Sequence, residues 1–193
     1  MYELTLCDGT NPDAFALGLV ERLRRRCERG SSRINAFVKY SRQMEGWFKG
    51  EILAIASDME RKGQVQRFAP DRRFDPAASK RNIDLYFEIE SSTQIWIELK
   101  HWYIGTYNTG HTVNALHYFK DTTSATIPNF VAKLPADWLL PIYMLIVTTP
   151  NLGRSDWHAG IEHLRKSGHK RRFTPLTDPN DFPDSYFLGL LKL

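Results

Sequence analysis

Residues 82–102, NIDLYFEIESSTQIWIELKHW, constrain the fold more than any other stretch of this chain. Ile83, Leu85, Phe87 and Ile89 alternate with Asp84, Tyr86, Glu88 and Glu90. After Ser91 and Ser92, Ile95, Ile97 and Leu99 alternate with Trp96, Glu98, Lys100 and Trp102. Period-two alternation rich in β-branched and aromatic residues, broken by a short polar turn, predicts a β-hairpin. Side chains alternate across a strand, so Glu98 and Lys100 point the same way and Asp84 on the neighbouring strand can point with them. Two readings of that charged face are open: a solvated, salt-bridged surface of the kind that ordinarily stabilises sheets, or a site.

The flanking segments supply helices and further strands. Asn11 and Pro12 form a helix entry, and Phe15, Leu19, Leu23 and Cys27 recur every four residues as one apolar stripe. Arg22, Arg24, Arg25, Arg26 and Arg29 gather at its C-terminal end before Gly30, where cations suit the helix dipole. Residues 31–41 read as a polar connection. A helix over 42–62 buries Trp47, Phe48, Ile52, Leu53, Ile55, Ala56 and Met59, with Glu51 in or beside that stripe. A carboxylate there needs a partner, either a basic residue or a metal site.

Residues 63–69 read as a short strand, and 70–81 as a basic, proline-containing loop with Arg72, Arg73, Lys80 and Arg81. Beyond the hairpin, 105–110 read as a loop and 112–133 as a helix interrupted at Ile127–Pro128. The apolar run WLLPIYMLIV at 138–147 predicts a strand covered on both faces. Ser155 is a candidate N-cap for a helix ending near Gly168, and 186–193 read as a last strand. A weak alternation over 2–6 suggests one more short strand.

Asp84 followed by Glu98-Leu99-Lys100 resembles the D…(D/E)xK signature of the PD-(D/E)xK phosphodiesterase superfamily, whose fold is that of many restriction endonucleases. The resemblance covers residues 42–150. It implies an α/β fold with a restriction-endonuclease-like core: a central mixed β-sheet flanked by helices, in the order α-β-β-β-α-β. The ends are additions within a single domain over 1–193. It implies a Mg²⁺-dependent (or Mn²⁺-dependent) endonuclease, with Asp84, Glu98 and the Leu99 carbonyl as metal ligands and Lys100 orienting the attacking water. Glu51, on the preceding helix, matches an acid that this family often carries, holding a water at the metal or helping to build a second metal position. Ile83, not proline, precedes Asp84. A proline–aspartate pair does occur at Pro70–Asp71, but it lies one strand too early, in the expected loop and far along the chain from Glu98.

The chemistry explains the combination. Phosphodiester hydrolysis needs a nucleophilic water, neutralised phosphate charge and a stabilised leaving alkoxide. Two converging carboxylates repel unless a cation joins them, and Mg²⁺ favours a few carboxylates plus waters and phosphate. The formal charge of +4 suits a polyanionic partner. The family points to DNA before RNA, with Arg72, Arg73, Lys170, Arg171 and Arg172 as backbone contacts; the last three belong to a basic run with Arg165 and Lys166. Cutting both strands takes two sites, so a homodimer fits. Trp96, Trp102 and Tyr86 either wall the site and stack on bases or pack under helices.

The alternative is a non-catalytic nucleic-acid- or protein-binding module on the same fold. Cys7 and Cys27 form no disulfide framework, no histidine spacing suits zinc, and no apolar run is long enough to span a bilayer, so a cytoplasmic protein away from membranes is expected.

Overall fold

The computed structural model describes residues 11–39, 44–73, 82–105, 115–134, 140–151, 154–168, 173–175 and 186–193. Helices α1 (Pro12–Arg29), α2 (Ser31–Lys39) and α3 (Glu45–Arg61) precede strands β1 (Arg67–Arg73), β2 (Asn82–Ile89) and β3 (Thr93–Gly105). Helix α4 (Ala115–Val131), β4 (Ile142–Asn151), α5 (Arg154–Gly168), β5 (Phe173–Pro175) and β6 (Phe187–Lys192) follow. The described strands form one six-stranded mixed sheet in the order β1-β2-β3-β4-β6-β5. Among the described residues only β3 and β4 run parallel. The protein is therefore α/β, a mixed sheet flanked by helices.

Both sheet faces are covered, which the alternation of the hairpin alone does not require. Leu85, Phe87, Ile95, Ile97 and Leu99 join Leu145 and Val147 in one core beneath α1 and α3. Tyr86, Trp96, Ile104, Met144 and Ile146 form a second core with Ile127 and Phe130 of α4 and Trp157, Ile161 and Leu164 of α5. Every residue of β4 from Ile142 to Thr149 is buried, as its unbroken apolar run predicts. The strand starts at Ile142 because Pro141 has no N–H to give; its carbonyl accepts from Trp96 N at 3.2 Å.

Helix α1 starts as predicted, with Asn11 Oδ1 accepting from the backbone N–H groups of Asp13 and Ala14. Asp13 then ties it to the sheet, accepting from the Tyr143 hydroxyl and from Lys192 Nζ at 2.7 Å. Its arginine cluster is largely engaged within the protein. Arg24 and Arg25 meet Glu21, Arg24 also meets Glu28, and Arg22 bonds Gln64. Cys27 is buried, and burial, then the charges of Glu51 and Glu28, push its thiol up to about 12.

Four expectations need correction. Residues 31–39 are helical, because the Gly30 carbonyl accepts from Arg33 and Ile34 and buries Ile34 in the first core. Strand β1 runs to Arg73, so Pro70, Asp71, Arg72 and Arg73 are strand residues and not loop. Helix α4 passes through Pro128 to Val131, held by the burial of Ile127 and Phe130 on either side. Helix α5 begins at Arg154, one residue before Ser155. The expected strand at 2–6, together with Cys7, Lys80, Arg81 and the loop at 106–110, lies outside the described residues.

Close packing of α5 on β3 gives a prediction with opposed signs. A Cβ at Gly160 would lie 2.8 Å from Ile104 Cδ1 and 3.0 Å from its Cγ2, whereas one at Gly50 of α3 would meet nothing within 4 Å. Gly50→Ala should raise stability by about 0.5–1 kcal/mol through helix propensity. Gly160→Ala should lower it by roughly 1–3 kcal/mol through overpacking. Urea denaturation of the two variants reads both signs.

Candidate active site

The seam between β2 and β3 opens at Asp84. The register pairs Ile89 with Thr93 and runs back to Leu85 opposite Ile97, where it stops. On the other flank, β1 pairs Pro70 with Leu85 and Arg72 with Ile83, skipping Asp71 and Asp84. Ile83 packs in the second core beside Tyr86, whereas Leu85 packs in the first, so strict alternation fails at Asp84. Asp84 Oδ2 fills the opening by accepting from the backbone N–H of Leu99 at 2.9 Å. A side chain thus takes the place of a ladder carbonyl.

Glu98 and Lys100 flank that residue on the other side of its peptide. Lys100 Nζ lies 2.8 Å from Glu98 Oε1 and donates to the Leu99 carbonyl at 3.1 Å. The Glu98 carboxylate is buried, at 6 % side-chain exposure, and a charge so placed requires a cation. Asp84, Glu98 and Lys100 are therefore linked through Leu99. Glu51 is not brought to them: its Oε2 meets Arg26 Nη1 of α1 at 3.1 Å.

Helix geometry explains that absence and reveals the residues that sequence reasoning missed. Lys49 and Glu51 stand two positions apart, about 200° around a helix of 3.6 residues per turn. Lys49 faces the seam, its Nζ 3.3 Å from Asp84 Oδ1 and 2.5 Å from Asp71 Oδ1. Burial pulls the Lys49 ammonium down, but Asp71 and Asp84 together outweigh this and hold it above its usual range. Asp71, set aside in the sequence as a loop residue, is a β1 residue one lysine away from Asp84. Its φ of +51° is a left-handed backbone that costs about 1 kcal/mol, though aspartate tolerates it better than most residues. The signal available in the sequence was the four-residue spacing of Glu45 and Lys49, which puts both on one stripe of α3.

Glu45 and His101 fix the start of α3 against β3. Glu45 Oε2 accepts from the His101 backbone N–H at 3.3 Å. His101 Nδ1 accepts from the Met44 backbone N–H at 3.4 Å, which leaves Nε2 to carry the proton and donate to Thr149 Oγ1 at 3.0 Å. As expected, His101 lies on the face opposite Lys100, and it packs against the Phe48 ring.

The remaining predicted contacts are placed as follows. The Arg72 guanidinium stacks 3.7 Å over the Tyr86 ring and 5.8 Å from that of Trp96. Tyr86 and Trp96 are buried edge to face at 4.7 Å, so they pack beneath helices and offer no open face to a base. Arg73 is exposed on β1. Lys170, Arg171 and Arg172 lie outside the described residues. Lys166 reaches Glu162 at 3.6 Å.

The donor set suits a hard cation. Two ammonium groups already sit on its oxygens: Lys100 on Glu98 and the Leu99 carbonyl, and Lys49 on Asp84. All three donors are oxygens, which favours Mg²⁺ or Mn²⁺ over zinc. Among the described residues no group of three or more His, Cys, Asp or Glu side chains is placed to hold a metal ion, so waters and phosphate would complete the shell. No helix among the described residues is long and apolar enough to cross a membrane. Comparison with protein-family models, curated proteins and solved structures finds no match for this chain.

The His101 clamp gives a pH prediction. Burial pulls the imidazole down from 6.5 to about 4, so the folded protein keeps it neutral where the unfolded chain protonates it. Its contribution is full above the unfolded value and is lost as pH falls from 6.5 towards 4; the loss is of order 3 kcal/mol. Chemical denaturation across that window should show stability falling with pH, and His101→Gln should flatten the slope. Equal slopes in the two proteins would contradict the assignment.

Proposed function

We propose that this chain is a metal-dependent nuclease that hydrolyses phosphodiester bonds in DNA, on a restriction-endonuclease-like core. The observation that carries the reading is the linkage of Asp84, Glu98 and Lys100 through the Leu99 peptide. The element order adds support: α3, then β1, β2 and β3 as an antiparallel meander, then α4 and a buried β4 parallel to β3. Asp84, Glu98 and the Leu99 carbonyl would hold Mg²⁺ or Mn²⁺. When bound, the cation supplies Lewis-acid stabilisation of charge at the phosphate and the leaving oxygen.

The chain's own residues do the rest. Leu99 N–H holds the Asp84 carboxylate in one orientation, so no reorganisation is needed when substrate arrives. Lys100, anchored by Glu98, would orient the attacking water and offset negative charge on the phosphate. Arg73, exposed on the edge strand, is available to the nucleic-acid backbone. Glu51 is left to Arg26.

One observation favours a second reading, a non-catalytic nucleic-acid- or protein-binding module on the same fold. The lysine contacts of Asp84 and Glu98 already satisfy those carboxylates as a structural network.

Cleavage separates the two. Supercoiled plasmid, single-stranded DNA and single-stranded RNA are incubated with Mg²⁺ or Mn²⁺ and the wild type, Glu98→Ala or Lys100→Ala. Wild type should cut DNA, and each variant should lose about 100-fold or more while keeping a native circular-dichroism spectrum. Undiminished cleavage in either variant contradicts the proposal, and an inert wild type favours the second reading.

A further inference from the structure

The seam contains a lysine that the acid–acid–lysine signature does not require. Asp84 Oδ2 is held by the Leu99 N–H, so Oδ1 is the oxygen left to face a cation, and Oδ1 is the atom that Lys49 Nζ approaches at 3.3 Å. The same ammonium is 2.5 Å from Asp71 Oδ1. Asp71 is held beside Asp84 by a left-handed backbone at the skipped position of the β1–β2 register. Asp71, Asp84 and Glu98 bring three negative charges against the two ammoniums of Lys49 and Lys100. One net negative charge is a weak attraction for a divalent cation.

We propose that Lys49, which bridges Asp71 and Asp84, competes with the divalent cation for Asp84 Oδ1, and that Asp71, its nearer partner, retains the ammonium when the cation binds. This rests on the reading of Asp84 and Glu98 as metal ligands. Lysine suits the role because a compact charge on a flexible four-carbon stem can change partner with little movement of its helix. The side chain is 21 % exposed against 60 % for Asp71, so giving up Asp84 leaves the ammonium on its more solvated partner. Lys49 is thus a positioning residue, setting how tightly the cation is held and keeping Asp84 neutralised until it arrives.

The consequences have signs that a merely structural lysine would not produce. Mn²⁺ affinity is measured by isothermal titration calorimetry on the full chain without nucleic acid. Lys49→Met should tighten binding about tenfold by removing the competing charge, and Lys49→Arg, which keeps the charge, should stay within about threefold of wild type. Asp71→Asn should weaken binding roughly threefold, because Lys49 then has only Asp84 to sit on. In the Lys49→Met background the same Asp71 change should have less than about a twofold effect, since Asp71 is exposed and its direct field is screened. Thermal melts in EDTA check folding, and Lys49→Gln is measured alongside in case Lys49→Met does not fold. If neither neutral variant binds Mn²⁺ more tightly than wild type, while Glu98→Ala abolishes binding, the exchange is wrong and the metal site stands. If wild type binds no Mn²⁺, the metal site fails and the exchange fails with it.

Discussion

One hydrogen bond organises the middle of this molecule: the Leu99 backbone N–H donating to Asp84 Oδ2. A sheet interior normally pairs each N–H with a carbonyl of the next strand. Here β2 and β3 separate after Leu85 and Ile97, and a carboxylate enters the gap. The substitution leaves a buried donor satisfied and gives a charged acceptor a fixed direction. It also requires local cations, and α3 supplies one through Lys49 while Lys100 neutralises Glu98. The position of α3 against β3, set by Glu45, His101 and Met44, therefore bears directly on the electrostatics of the seam.

The surrounding architecture makes the opening tolerable. Strand β3 is paired along its other edge with β4 from Trp96 to Gly105, so separation from β2 does not release it from the sheet. Two hydrophobic cores clamp the sheet from both sides, and Ile83 switches from one to the other at the break. With the backbone so framed, Lys49 and Lys100 meet the acids through their side chains alone.

Strongly periodic elements were legible in the sequence. The hairpin, the two-sided β4 and the last strand follow from alternation and apolar runs, and α1 from its four-residue stripe and Asn11 cap. Asp84, Glu98 and Lys100 stood out because a D…ExK spacing on an alternating hairpin is readable without coordinates. For Glu51 the sequence leaves a basic partner and a metal site both open, because a position beside an apolar stripe does not say which neighbour it faces; α1 offers Arg26. Lys49 and Asp71 were invisible for a related reason. Their meeting depends on the crossing of α3 with β1 and on a left-handed aspartate after a proline, which resembles a loop in sequence. The stacking of Arg72 on Tyr86 is likewise not readable from spacing, because it depends on the pairing of β1 with β2.

On the proposed function, the opened seam would be a cation site built from Asp84, Glu98 and the Leu99 carbonyl. Anomalous diffraction from crystals of the protein equilibrated with Mn²⁺ tests it most directly. An anomalous peak is expected in contact with both carboxylates and that carbonyl, with Lys49 released from Asp84 and held by Asp71 alone. A peak elsewhere, or none while Lys49 and Lys100 remain on the acids, would contradict it.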